Sequence, residues 1–292
     1  MSIERSTRDG LKFITVKTAP GDVLSFTTHG AHITSWKPHT EEHDVLYLSE
    51  KAVYRNDKAI RGGIPVCWPW FGPVHNPQHG YARISEWNED RIEFIDNTKT
   101  KAHICLSLEV NKEVDSKTFH LKGVMDITFS GNELTQSLRT INLSNNSDAE
   151  ITDALHTYYS IGDISKISIA GLENVPFYDK VNIDKSNPDK ITSPLGQPLR
   201  FVGAYDRDYY PTKGEIIIHD EARKRAIKID RNGSNSVVVW NVHEGAKSLS
   251  DMGDEDYKIY VCVEAANIRG DTVTLKPGQE HTLSFTVTVL KE

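Results

Sequence analysis

Strand-like segments separated by turn signals run along almost the whole chain, and no long 3.6-residue amphipathic period interrupts them. Leu11–Lys17, Ala102–Val110, Phe119–Ser130, Glu133–Leu143, Glu150–Tyr158, Glu215–His219, Ala226–Asp230, Ser236–Trp240, Ile259–Ala265 and His281–Leu290 are rich in β-branched and aromatic residues. Such residues suit a pleated, half-buried surface. Ser130-Gly-Asn, Ser144-Asn-Asn-Ser, Arg231-Asn-Gly and Lys276-Pro-Gly separate them. Gly and Asn reach left-handed backbone cheaply there, and Pro presets a turn. Leu121–Leu143 reads as a hairpin around Gly131-Asn132. Strands at roughly 8–14-residue spacing with little helix predict an antiparallel sandwich or barrel. No Gly/Ser-rich linker, repeat or composition break divides the chain, so residues 1–292 are read as one all-β domain.

The charge balance narrows the partners. The net charge of −7 and the absence of a basic stripe argue against nucleic acid. A single phosphate needs only two or three local cations and stays open. No apolar run is long enough to span a bilayer, and MSIERSTRDG holds no apolar signal core, so no membrane association is expected. Three separated cysteines, Cys67, Cys105 and Cys262, form no redox or metal spacing and suggest a reduced, cytoplasmic setting.

One stretch departs from the strand pattern. Arg61–Arg83 reads RGGIPVCWPWFGPVHNPQHGYAR. Its prolines fix φ and remove donors, which excludes a regular helix or a central strand. It is too aromatic for a solvated linker. The expectation is a long irregular loop packed on the protein body, with Trp68 and Trp70 as apolar walls and Arg61, Gln78, His79 and Arg83 as polar tips. Such a loop suits a pocket edge, and equally a structural Pro/Gly loop that carries two tryptophans.

Two residues on strands suggest chemistry. In Ile259–Asn267, alternation places Ile259, Val261 and Val263 on one face and Tyr260, Cys262 and Glu264 on the other. Both faces are apolar before Glu264, so this strand is buried on both sides. A carboxylate there has a raised proton affinity, as a general base does, or belongs to a buried ion pair. In Ile151–Tyr158, Ala154, His156 and Tyr158 share a face, and the imidazole of His156 could give or take a proton near neutrality. Asp206 and Arg207 form a charged cluster among tyrosines, either a surface turn or a sugar-binding group. His29/His32 has a spacing that could bind metal on a helix but sits in strand and turn, and His75/His79 lies in a Pro-rich loop with no acidic or cysteine partner, so no metal is expected. Asp251, Asp254, Glu255 and Asp256 lack an EF-hand pattern and read as a solvated acidic loop.

These pieces together resemble the aldose 1-epimerase (galactose mutarotase-like) superfamily, and within it the hexose-6-phosphate mutarotases. The resemblance rests on Gly30–Trp36, Arg61–Gly72, Gln78–Arg83, Leu155–Tyr159, Val239–Asn241, Asp251 onward and Tyr260–Asn267, in that order. It implies an antiparallel β-supersandwich. It implies His156 as general acid at the sugar ring oxygen and Glu264 as general base at the C1 hydroxyl. Arg61, Gln78, Arg83 and Asp206 would hold the sugar phosphate, with His79 as a further contact. The sequence departs at Trp240-Asn241-Val242, where the family often has Trp-Asn-Pro, and in the stretch before Asp206. The expected reaction is α/β anomer exchange of a hexose 6-phosphate, glucose 6-phosphate foremost, without a cofactor, by a monomer or weak homodimer. The alternatives are a mutarotase for free hexoses and a non-catalytic sugar-phosphate-binding protein. A glycoside hydrolase needs two flanking carboxylates, and only Glu264 stands out as a buried one.

Overall fold

The computed structural model describes residues 1–115 and 117–292. Among these, strands form two eight-stranded sheets, a four-stranded sheet and a two-stranded sheet, and every named strand pair is antiparallel. Helix is confined to short 3-10 turns. The outer sheet runs in the order Ile167–Ala170, Ile216–Asp220, Arg225–Asn232, Glu280–Lys291, Glu133–Asn142, Lys117–Ser130, Ala102–Val114, Asn88–Phe94. The expected hairpin is present, with Ser130 paired to Glu133 across Gly131-Asn132. The second large sheet, here the pocket sheet, runs Ile191–Thr192, Phe177–Asp179, Tyr205–Tyr209, Ser236–Asn241, Tyr260–Asn267, Asp153–Leu155, Val66–Cys67. Tyr158–Ser160 also pairs with Tyr260–Asn267.

Alternation decides what each face meets. Val261, Val263 and Ala265 belong to one core cluster with Val237 and Val239 and with Leu283, Phe285, Val287 and Val289 of the outer sheet. The four-stranded sheet adds Ile14, Val16, Leu24, Phe26, Ile33 and Trp36 to that cluster. Burying such side chains contributes about 1.5–3 kcal/mol each. Cys262 and Ala266 face the other way, into smaller clusters beneath the pocket. Ile259 leaves the expected pattern: it precedes the strand, after the 3-10 turn Asp256–Lys258, and is exposed. The run Glu150–Tyr158 is likewise broken into Ala149–Ile151, Asp153–Leu155 and the start of Tyr158–Ser160, which belong to two different sheets.

The Arg61–Arg83 stretch is mostly irregular, with two exceptions. Val66–Cys67 forms a short strand at the edge of the pocket sheet, a position that tolerates the preceding Pro65. Ala82–Ile84 is a 3-10 turn. The tryptophans do not wall the pocket. Trp68 is fully buried and its Nε1 donates to Thr140 Oγ1 at 2.9 Å. Trp70 donates to the Pro77 carbonyl at 2.8 Å and packs on Tyr81 and Phe119. Indole rings this large find more apolar area in the interior than at a wet rim, provided the N–H has an acceptor. They anchor the loop, and Gly80 completes the anchor. At φ +76° a Cβ on Gly80 would lie 2.1 Å from the Trp68 carbonyl oxygen.

Gly72 gives a control, since it has φ +81° but open space where its Cβ would be. Gly72→Ala should cost only the left-handed backbone penalty, about 1–2 kcal/mol. Gly80→Ala should cost clearly more, by an added steric clash with backbone. Urea unfolding of the two variants checks this; equal losses would show that the contact at Gly80 is not tight.

Candidate active site

Pairing register brings two rows of side chains onto the exposed face of the pocket sheet. Asp208, Val238 and Glu264 lie side by side on three neighbouring strands, and Asp206, Trp240 and Cys262 form the next row. Cys67, Ala154, Val238, Ala266 and Ile268 make an apolar floor with Phe71 against it. Above it opens a cavity of about 710 Å³, within the size range of small-molecule sites. Arg61, Gln78, His79, Arg83, His156, Asp206 and Glu264 all line it. Every site residue expected from sequence is therefore brought to one place.

His156 sits where the chain leaves the Asp153–Leu155 strand, its backbone N–H donating to the Pro65 carbonyl at 3.0 Å. Its ring stacks on Tyr158 at 4.9 Å between centroids, with 12° between planes, and meets the edge of Trp240. Its Nε2 lies 3.3 Å from Glu264 Oε1. Glu264 is 1 % exposed, and neither oxygen has a hydrogen-bond donor among the described residues. Burial pushes the Glu264 carboxyl well above its usual range; Lys180 opposes this, while Asp206 and Asp208 add to it. Burial, then His79, Arg61 and Arg83, push His156 well below its usual value. The two groups thus resist charging separately, and their mutual contact is what favours charging them together.

His79 has a defined tautomer. Its Nδ1 accepts from the Gly72 N–H at 3.2 Å, so the ring proton of the neutral form is on Nε2. Burial first, then Arg83, Lys180 and Arg61, hold its pKa down at about 3. It offers the cavity a neutral N–H donor.

The cations are tethered rather than loose. Arg61 donates from Nε to Asp251 at 3.2 Å and from one terminal nitrogen to the Tyr158 hydroxyl at 3.1 Å. Asp251 is therefore an Arg61 partner and not a solvated loop residue. Asp256, in the same loop, accepts from the Tyr47 hydroxyl and the Gly253 N–H. Arg83 donates to the Gln78 carbonyl at 2.7 Å. A guanidinium carries five N–H donors, so both arginines keep free ones. The Asp206–Arg207 cluster splits by alternation: Asp206 faces the cavity, whereas Arg207 points away, to Asp179 and Tyr205. His32 and His29 donate from Nε2 to the Gly62 and Lys58 carbonyls and serve the scaffold.

Sequence reasoning missed Lys180, Asp208 and Arg269. Lys180 Nζ lies 2.6 Å from Asp206 and 2.7 Å from Asp208. Arg269 Nε lies 2.6 Å from the other oxygen of Asp208, with its guanidinium 3.6 Å over Tyr178. Asp208 was findable, two residues along the strand from Asp206 and hence on its face. Lys180 and Arg269 come from connecting segments, where no period marks direction.

The pattern described as Aldose 1-epimerase matches residues 12–288. This chain belongs to the aldose 1-epimerase family. It is 37% identical over 271 residues to an Escherichia coli protein named "Putative glucose-6-phosphate 1-epimerase", covering 90% of this chain and 86% of that one. A solved structure described as a "putative mutarotase" from Salmonella typhimurium superimposes with a TM-score of 0.87 at 29% identity, covering 99% of this chain and 94% of that one. A galactose mutarotase-like protein from Clostridium acetobutylicum shares the fold, with a TM-score of 0.72 at 15% identity over 100% of this chain and 99% of that one. The family makes the chain an epimerase-type isomerase acting on sugars.

The buried His79 imidazole should remain neutral across the physiological range. Nitrogen-15 NMR should report His79 Nδ1 as a bare acceptor and Nε2 as protonated from pH 5 to 8. A His79 ring that charges above pH 5 would contradict the environment described.

Proposed function

We propose that this protein interconverts the α and β anomers of a hexose 6-phosphate, with His156 as general acid and Glu264 as general base. The observation that carries this reading is the 3.3 Å contact of His156 Nε2 with Glu264 Oε1, in a cavity also lined by Arg61 and Arg83. Glu264 takes the proton of the C1 hydroxyl, and those electrons form the aldehyde C=O. The C1–O5 bond breaks, its pair stays on O5, and His156 supplies the proton there. Rotation about C1–C2 and reclosure with roles reversed give the other anomer.

The electrostatics suit a reversible reaction. The reactive form is the ion pair of charged His156 and ionised Glu264; ring opening discharges both. Burial favours the neutral pair, and close attraction favours the ion pair. Comparable opposing terms let the same two groups work in both directions. The step needs only these proton transfers, each typically worth about 10²–10⁴-fold. The neutral Nε2–H of His79 is a ready donor to a sugar oxygen. Asp206, held by Lys180, would accept from sugar hydroxyls, since a carboxylate repels a phosphate. Arg61 and Arg83, with free donors, suit a phosphate group.

Glu264→Gln and His156→Ala should each lower catalysed anomer exchange by at least about 100-fold, measured by exchange NMR. Glu264→Gln keeps the side-chain shape, and burial keeps His156 neutral without its partner, so its melting temperature should change little. Full activity in either variant removes that residue from the mechanism.

Phosphate recognition has a separate test. Glucose 6-phosphate should turn over with a higher kcat/KM than glucose. Arg83→Ala should reduce that preference by about tenfold or more, as expected for one charge-assisted contact. Equal rates for the two sugars would favour a free hexose as substrate.

A further inference from the structure

We propose that Lys180 is a positioning residue for the isomerisation: its ammonium ties Asp206 and Asp208 together and supplies the compensating charge on which the ionised form of Glu264 depends. The inference rests on the acid/base pair proposed above. Its basis is a crowding of like charges. Asp206 and Asp208 point from the Tyr205–Tyr209 strand onto the same sheet face as Glu264, with only Val238 between Asp208 and Glu264 in the row. Asp208 is 5 % exposed and Glu264 1 %. Three carboxylates so placed cannot all ionise without a cation among them.

Lys180 is that cation. It follows the Phe177–Asp179 strand, which pairs with Tyr205–Tyr209, and its own backbone N–H donates to the Asp206 carbonyl at 2.8 Å. This fixes its stem beside the aspartates, and Nζ reaches both at 2.6 and 2.7 Å. Although burial disfavours its charge, Asp208 and Asp206 hold its proton affinity above the usual value. Arg269 is turned toward the far oxygen of Asp208 and the Tyr178 ring. Of the other cationic groups lining the cavity, Arg61 is held on Asp251 and Tyr158, Arg83 on the Gln78 carbonyl, and His156 is the partner of Glu264 in the working pair. Removing Lys180 therefore makes the cluster take up a proton. Glu264, with no hydrogen-bond donor of its own among the described residues, is the first to accept it.

The sign follows directly. The working pair holds one proton; a second proton on it ends activity at acid pH, and loss of the first ends it at alkaline pH. Losing a neighbouring positive charge raises both affinities, so the whole kcat/KM profile moves to higher pH. Losing a neighbouring negative charge moves it to lower pH. The experiment is the pH profile of glucose 6-phosphate anomer exchange, corrected for the uncatalysed rate, in Lys180→Met, Lys180→Arg and Asp208→Asn.

Lys180→Met should shift the profile upward by about one pH unit or more. Asp208→Asn should shift it downward, and Lys180→Arg should return it close to the parent profile. A uniformly lower rate with an unmoved profile in Lys180→Met, or movement of Lys180→Met and Asp208→Asn in the same direction, overturns the inference. If Lys180→Met does not fold, Asp208→Asn decides alone: a downward shift supports the inference and an unmoved profile overturns it. Inactive His156→Ala and Glu264→Gln beside an unmoved Lys180→Met profile would remove only this inference; active ones would remove the pair itself.

Discussion

The Tyr260–Asn267 strand is buried along its whole length, and the site depends on that. One face meets the sandwich core through Val261, Val263 and Ala265; the other lies under the cavity with Cys262 and Glu264. A strand in that position has no solvated side to which a carboxylate could retreat. Glu264 is therefore held out of water, and its ionisation must be supported by neighbours. His156 on one side and Lys180 on the other meet that need, against the two aspartates.

The remaining features of the pocket are ways of holding polar groups in place before a ligand arrives. His156 is stacked on Tyr158 and packed against Trp240. Arg61 is braced by Asp251, which lies 190 residues away in sequence. Arg83 hangs from a loop whose anchors, Trp68 and Trp70, are sunk in the core on the far side. Long cationic side chains lose much rotamer freedom on binding, and tethering them in the free protein reduces that cost.

Much of this was legible in the residue pattern. Period-two alternation correctly separated Val261 and Val263 from Glu264, and the sandwich followed from turn spacing. The resemblance carried by Arg61–Arg83 and Tyr260–Asn267 pointed to the family that residues 12–288 match. What the pattern concealed has physical reasons. Tryptophan in a Pro/Gly loop looks the same whether it walls a pocket or plugs a core, and the deciding partner, Thr140, is far away in sequence. Glu150–Tyr158 reads as one strand because local propensity does not register a change of sheet. Asp251 looked solvated because its partner Arg61 is contributed by another part of the fold. Lys180 and Arg269 carry no local signal, since their orientation is set by the aspartates they meet.

A crystal structure with glucose 6-phosphate bound bears most directly on the assignment of the two proton-transfer groups and the two arginines. The sugar's anomeric oxygen should lie within hydrogen-bond reach of Glu264, its ring oxygen within reach of His156 Nε2, and its phosphate against Arg61 and Arg83. A phosphate seated instead against Lys180 and Arg269, with C1 remote from Glu264, would contradict both the substrate orientation and the catalytic roles.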